Sequence, residues 1–142
     1  METAGRQLMP LEWRDGLSVG VVEIDKQHKE LIRRINSFIC CVNEGQGKDK
    51  LENLFTFMER YALTHFECEE AHMDRTAYPS KVGHVKKHQE FIRMFSLLKS
   101  QVAKDGASLH VVASAQRYLC DWVVFHVSTM DMELGKHLRE RA

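Results

Sequence analysis

The chain has little of what interrupts a helix or marks a charged partner. Only 2 of its 142 residues are proline and 8 are glycine, so long uninterrupted helices are expected. Neither charge is in excess. Lys+Arg and Asp+Glu both number 20, and no basic stripe runs along any segment, so nucleic acid is excluded as a partner. No apolar run approaches the roughly 20 residues that span a bilayer, so no membrane partner is expected. Met1 to Ser18 carries Glu2, Arg6, Glu12, Arg14 and Asp15 and lacks the apolar centre of a secretory leader. The four cysteines, Cys40, Cys41, Cys68 and Cys120, follow no framework and two are adjacent. They read as reduced thiols, and the expected location is cytoplasmic.

What the chain does have is a helical rhythm. Hydrophobic residues make up 44% and charged residues 28%, the balance of one globular domain. Residues 1–20, with Pro10, Gly16 and Gly20, read as an irregular N-terminal arm. Residues 21–142 read as a four-helix bundle followed by a short C-terminal helix. Steps of 3 and 4 place one buried stripe on each helix. These are Ile24, His28, Leu31, Ile35, Phe38 and Val42; Leu54, Met58, Tyr61, His65 and Glu69; His84, His88, Phe91, Phe95, Leu98 and Val102; and Val112, Ala115, Leu119, Trp122 and His126. Glu44-Gly45-Gln46-Gly47 and Lys104-Asp105-Gly106 read as turns. Tyr78-Pro79-Ser80 divides the second helix from the third, with Ser80 as N-cap. The fold class is therefore all-α, an up-down-up-down antiparallel four-helix bundle.

Six polar residues continue these stripes, His28, His65, Glu69, His84, His88 and His126, and Asp131 follows the fourth; these seven are the candidate ligands. Counted from the turns at Gln46 and Gly106, His28, His65, His88 and His126 stand 18, 19, 18 and 20 residues away. At about 1.5 Å of rise per residue, all four reach a common level roughly 27–30 Å from the turns. The bundle thus gathers the seven into one layer near one end. Burying so many polar groups without partners would cost several kcal/mol, and a metal centre compensates most simply. His65/Glu69 and His84/His88 are i, i+4 pairs on one helical face. His126/Asp131 is i, i+5, which does not keep to one face, so the fourth helix is expected to loosen after His126.

If both carboxylates bridge two metals together with one solvent-derived oxygen, five histidines divide three and two. One metal is then six-coordinate and closed, and the other keeps one open position. Mixed imidazole and carboxylate with an oxygen bridge favours iron, although ligand type alone does not select it. A set with fewer carboxylates than the ferritin-like di-iron pattern is less electron-rich and suits reversible binding over oxidation.

Asp25-Lys26-Gln27-His28, His65-Phe66-Glu67-Cys68-Glu69-Glu70, Tyr78-Pro79 leading to His84, His88 and Phe91, and Trp122 leading to His126 and Asp131 together resemble the hemerythrin family, in its single-domain bacterial form. The resemblance covers about residues 13 to 135, and Trp13 matches the aromatic residue ahead of the first helix. It implies two non-heme irons (Fe2+/Fe3+) with a bridging oxo or hydroxo group. His84, His88 and His126 would hold the closed iron, His28 and His65 the open one, and Glu69 and Asp131 the bridge. Phe66, Phe91 and Trp122 would line a dry O2 pocket. The implied function is reversible O2 binding, as hydroperoxide on the open iron, for oxygen delivery, storage or sensing. NO and peroxide are further candidate ligands, and a monomer without enzymatic activity is expected. The alternative is a di-iron enzyme with peroxidase, oxidase or nitric-oxide-handling activity. Its support is Val127-Ser128-Thr129-Met130, where Ser128 or Thr129 would bring a hydroxyl or water near the open iron. The remaining histidines, His72, His110 and His137, are expected at the surface, Cys68 in packing, and Glu67 and Glu70 in solvent.

Overall fold

The computed structural model describes residues 10–45, 48–105 and 108–141. Four long helices, α1 (Val22–Asn43), α2 (Lys48–Arg75), α3 (Lys81–Asp105) and α4 (Leu109–His126), are followed by a π-helical turn at Val127–Asp131 and by α5 (Met132–Arg139). Each long helix packs on the next in sequence, and α4 returns against α1. With short connections the helices alternate in direction, which gives the expected antiparallel bundle. Among the described residues, no helix is long and apolar enough to cross a membrane.

The helix ends follow local chemistry. α1 stops where Gly45 takes a left-handed backbone, φ +71°, a conformation that costs glycine little. α2 ends in a six-to-one turn, Tyr78 N–H donating to the Met73 carbonyl at 2.9 Å. The left-handed position of that turn is Ala77, φ +50°, where a Cβ is disfavoured. Ser80 stands immediately before α3, and Tyr78-Pro79-Ser80 separates the helices as expected. Gln46, Gly47 and Gly106 of the other two turns lie outside the described residues, as do the side chains of His110, Val112 and Ala115.

The stripe expected on α3 is buried at all six positions. On α1, Val42 alone of the six is half-buried. On α2 the stripe is rotated. Leu51, Phe55, Met58 and Ala62 are buried, whereas Leu54 and Tyr61 pack at its edge. Phe38, Phe55, Phe95 and Phe91 form a chain of aromatic contacts with centroids 4.7, 5.1 and 5.6 Å apart. This hydrocarbon layer gives way along the same helices to the polar residues.

Residues 10–20 lie against the bundle. Leu17 and Val19 are buried, and Leu11 exchanges two 2.8 Å hydrogen bonds with the Asn36 side chain. Val19 also meets α5: a Cβ at Gly135 would overlap its carbonyl oxygen, and Arg139 Nη1 donates to the same oxygen. Glycine at 135 is what lets α5 approach the arm this closely.

Candidate metal centre

All seven polar residues converge, each no more than 3% exposed. α1 supplies His28, α2 His65 and Glu69, α3 His84 and His88, and α4 His126; Asp131 closes the π turn. That turn resolves the i, i+5 spacing. On a continuous α-helix five residues leave two side chains about 140° apart. One turn widened to the i→i+5 pattern returns Asp131 to the face of His126. Their Nε2 and Oδ1 atoms are 3.2 Å apart.

The same turn explains Ser128 and Thr129. Ser128 Oγ donates to the Val124 carbonyl and Thr129 Oγ1 to the Phe125 carbonyl, both at 2.6 Å. These carbonyls lie where the α-helical ladder changes to the wider pattern, and the hydroxyls supply them with donors. Both residues are exposed, whereas Val127 is buried. The expectation of a hydroxyl beside the metal is thus corrected. The polar residues of this segment face solvent, and its buried residue beside His126 is apolar.

The two carboxylates are divided between two groups of imidazoles. Glu69 Oε1 lies 3.1 Å from His88 Nε2 and 3.7 Å from His84 Nε2. Asp131 Oδ1 lies 2.8 Å from His84 Nε2 and also faces His126. The other oxygens face the opposite way. Glu69 Oε2 is 3.1 Å from His65 Nε2 and 3.3 Å from His28 Nε2, and Asp131 Oδ2 is 3.0 Å from His28 Nε2. Two ligand groups result, Glu69/His84/His88/His126/Asp131 and His28/His65/Glu69/Asp131, each with its donor atoms within 4.8 Å of one another.

Proximity here is not pairing. His28 Nδ1 and Nε2, both Glu69 oxygens, His84 Nδ1, His88 Nε2 and Asp131 Oδ2 are buried without a hydrogen bond. Native interiors rarely leave such atoms unsatisfied. Their convergence on common points, with imidazole and carboxylate donors only, fits a pair of cations.

Without a cation the charges balance through protons. Burial opposes ionisation of Glu69, but His65, His28 and His88 hold its pKa well below the carboxylate range. Burial and the neighbouring Glu69 oppose ionisation of Asp131, and His126, His28 and His84 outweigh them. Burial opposes protonation of His28, while Asp131 and Glu69 raise it to about 9. His126 is lowered, chiefly by burial. Anions stabilised by ring protons exchange those protons for metal on loading.

Outer partners hold two of the rings. His65 Nδ1 meets Gln27 Oε1 at 2.6 Å and His88 Nδ1 meets Glu70 Oε2 at 2.8 Å. A carbonyl or carboxylate at this position fixes a ligand ring and directs Nε2 to the metal. Glu70 is therefore not the solvated residue expected from sequence, because its oxygen turns inward to His88. A groove of about 500 Å³, lined in part by Phe66, Glu67, Glu70, His88 and Arg93, runs along this side.

Phe66, Phe91 and Trp122 form one cluster, with Phe66–Phe91 at 5.7 Å and Phe91–Trp122 at 4.5 Å. Phe66 stacks on His88 at 3.9 Å and Trp122 on His126 at 4.3 Å. Phe66 also lies 5.8 Å from His65. The cluster thus sits chiefly against the three-histidine group. Met73 is fully buried. His137 was expected at the surface but is buried, with Nε2 3.0 Å from Thr76 Oγ1 and its ring 4.8 Å from Tyr78. His72 pairs with Glu23 at 2.7 Å on the outer side of α1 and α2. The four cysteines are free thiols.

A buried site of five imidazoles and two shared carboxylates in an all-α bundle defines a metal-binding protein with room for two cations. Residues 19–138 match the family described as Hemerythrin HHE cation binding domain, and the chain belongs to that family. It is 33% identical over 86 residues to a bacteriohemerythrin of Pseudomonas paraeruginosa, covering 61% of this chain and 56% of that protein. The chain thus spans little more than half the length of this relative. Similarity to a bacteriohemerythrin of Stenotrophomonas maltophilia extends over 131 residues at 25% identity, covering 91% and 82% of the two chains. For a myohemerythrin of Sipunculus nudus it extends over 124 residues at 26%, covering 87% and 90%. A solved hemerythrin, wild type, shares the fold with a TM-score of 0.79 at 20% identity, covering 92% of this chain and 98% of that one.

Proposed function

We propose that this chain is a non-heme di-iron protein that binds O2 reversibly. The carrying observation is the division of the carboxylates, each giving one oxygen to the three-histidine group and the other to the two-histidine group. In this reading His84, His88 and His126 hold one iron and His28 and His65 the other, with Glu69 and Asp131 shared. The two-histidine side has one protein donor fewer and is where a small ligand enters. When bound, an oxo- or hydroxo-bridged iron pair supplies electrons to O2 and recovers them on release.

The protein's part is to hold and shield. Glu69 and Asp131 balance cationic charge inside the bundle, and Gln27 and Glu70 fix the rings of His65 and His88. Phe66, Phe91 and Trp122 keep water from the imidazoles, and the buried residue that follows His126, Val127, is hydrocarbon. Delivery, storage and sensing all draw on this one step, and the reading is of a single chain acting without a partner. The names of the bacteriohemerythrin and myohemerythrin relatives support the same reading. The rival, a di-iron peroxidase, oxidase or NO-handling enzyme, rested on hydroxyls from Ser128 or Thr129. Those hydroxyls are engaged with the carbonyls of α4.

The test is anaerobic reconstitution with ferrous iron, then air, then argon, followed by visible absorption with iron counted per chain. Two irons and a charge-transfer band that appears in air and vanishes under argon are expected. A band that decays irreversibly would move the assignment to the enzyme class. Fewer than two irons would overturn the ligand assignment.

A further inference from the structure

A second cluster lies on the outer side of α1 and α2. Cys68 and His72 are i, i+4 on α2, and Glu23 stands across from them in the first turn of α1. Donor atoms of all three lie within 4.8 Å of one another. His72 Nε2 bonds to the Glu23 carboxylate at 2.7 Å, and the Cys68 thiol lies within 4.8 Å of both. Arg75 Nη2 lies 2.8 Å from His72 Nδ1. A guanidinium only donates, so Nδ1 is the bare nitrogen and Nε2 carries the hydrogen given to Glu23.

A thiol, an imidazole and a carboxylate in contact suggest either a nucleophile with its base or a metal site. The hydrogen bonds of His72 reject the first. Both of its ring nitrogens are engaged, by Glu23 and Arg75, so the imidazole is not free to take the Cys68 proton. One thiolate, one imidazole and one carboxylate are instead three of the four ligands of a tetrahedral zinc-class site.

We propose that Glu23, Cys68 and His72 form a separate mononuclear site for a borderline-soft divalent cation of the zinc class, its fourth position open to solvent. On binding, the thiol proton leaves to solvent. The His72 proton moves from Nε2 to Nδ1, and Arg75 releases that nitrogen. Two anionic ligands then balance a dication beside the freed guanidinium. The site is joined to the buried centre through Gln27, whose Nε2 donates to Cys68 Sγ at 3.3 Å while its Oε1 meets His65 Nδ1 at 2.6 Å. A thiolate accepts more strongly than a thiol, so a cation outside anchors the amide that orients a ligand inside.

The test is titration of the iron-loaded full-length protein with Co2+, read by the near-ultraviolet thiolate-to-cobalt band. The buried centre has no sulfur donor, so this band reports the outer site whether or not iron loads as proposed. One cobalt per chain, bleached by added Zn2+, is the expected result. Cys68→Ser abolishes the band and Cys40→Ser leaves it. Glu23→Gln and His72→Gln weaken binding by more than the roughly 10–100-fold that loss of an outer-sphere partner causes. Arg75→Gln tightens it. Unchanged far-ultraviolet circular dichroism in each variant establishes that the helices persist. No band at stoichiometric cobalt, a band that survives Cys68→Ser, or affinity indifferent to both Glu23→Gln and His72→Gln would overturn the proposal.

Discussion

Removing iron with a chelator leaves five inward-facing atoms without partners: His28 Nε2, both Glu69 oxygens, His88 Nε2 and Asp131 Oδ2. A buried polar group left unsatisfied costs about 1–3 kcal/mol, so together they amount to about 5–15 kcal/mol, as much as a whole domain's stability. Protons recover part of this. Against burial, Asp131 and Glu69 hold the His28 pKa up at about 9, and Glu69 with Glu70 raises that of His88. If about half is recovered, the metal-free protein is ~3–7 kcal/mol less stable. At ~2–4 °C per kcal/mol for a chain of this size, the melting temperature falls by ~10–25 °C. The loss is local. Amide exchange quickens over the last turn of α4, the π turn and α5, while helices around Phe38, Phe55 and Phe95 keep their protection. The assay is a thermal melt of iron-loaded and chelator-treated protein with hydrogen–deuterium exchange by mass spectrometry. Coincident melts with an unchanged exchange map would refute the reasoning that the metal satisfies these atoms.

Four further outcomes follow from the same geometry. Thr129→Val leaves the lifetime of the O2-dependent absorption band unchanged, because the hydroxyl is spent on the Phe125 carbonyl at the exposed side of the turn; stopped-flow decay under air checks this. Glu69→Gln keeps the shape but removes a shared anion, and iron per chain, measured by atomic emission, falls below two. Phe91→Ala empties a fully buried ring site among Phe66, Phe95 and Trp122 and destabilises by about 3–5 kcal/mol in urea unfolding. Ala77→Gly relieves the left-handed strain after α2 and, net of glycine's unfolded-state entropy, stabilises by about 0.5–1 kcal/mol in the same measurement.

The stripe of α3 is readable from sequence because His84, His88, Phe91, Phe95, Leu98 and Val102 leave one choice of face. α2 is ambiguous, since steps of 3 and 4 can begin at Leu51 or at Leu54. The structure chooses Leu51 and Phe55 and moves Tyr61 to the rim, where the Arg34 guanidinium lies 4.7 Å above its ring. The seven converging residues stand out in the sequence because imidazoles seldom recur on apolar stripes at one level. Their outer partners do not. Glu70 looks like any solvated glutamate until the register of α2 against α3 brings it to His88, and Gln27 gains its role only across α1 and α2. The i, i+5 interval signals a break in α4. That the break is one wide π turn, satisfied by Ser128 and Thr129, depends on a hydrogen-bond choice that periodicity does not encode.

The contact of Val19 with Gly135 and Arg139 bears on the order of assembly. Most packing in this bundle joins sequence neighbours, the arrangement that lets helical proteins form quickly from local contacts. The bond from Arg139 to Val19 spans 120 positions, nearly the whole described chain, and belongs to the end that carries the imidazoles. Loop closure delays such contacts. The aromatic end therefore consolidates first, and the end that receives the cations is the last to be sealed, giving the ions an open passage before Val19 and Arg139 meet.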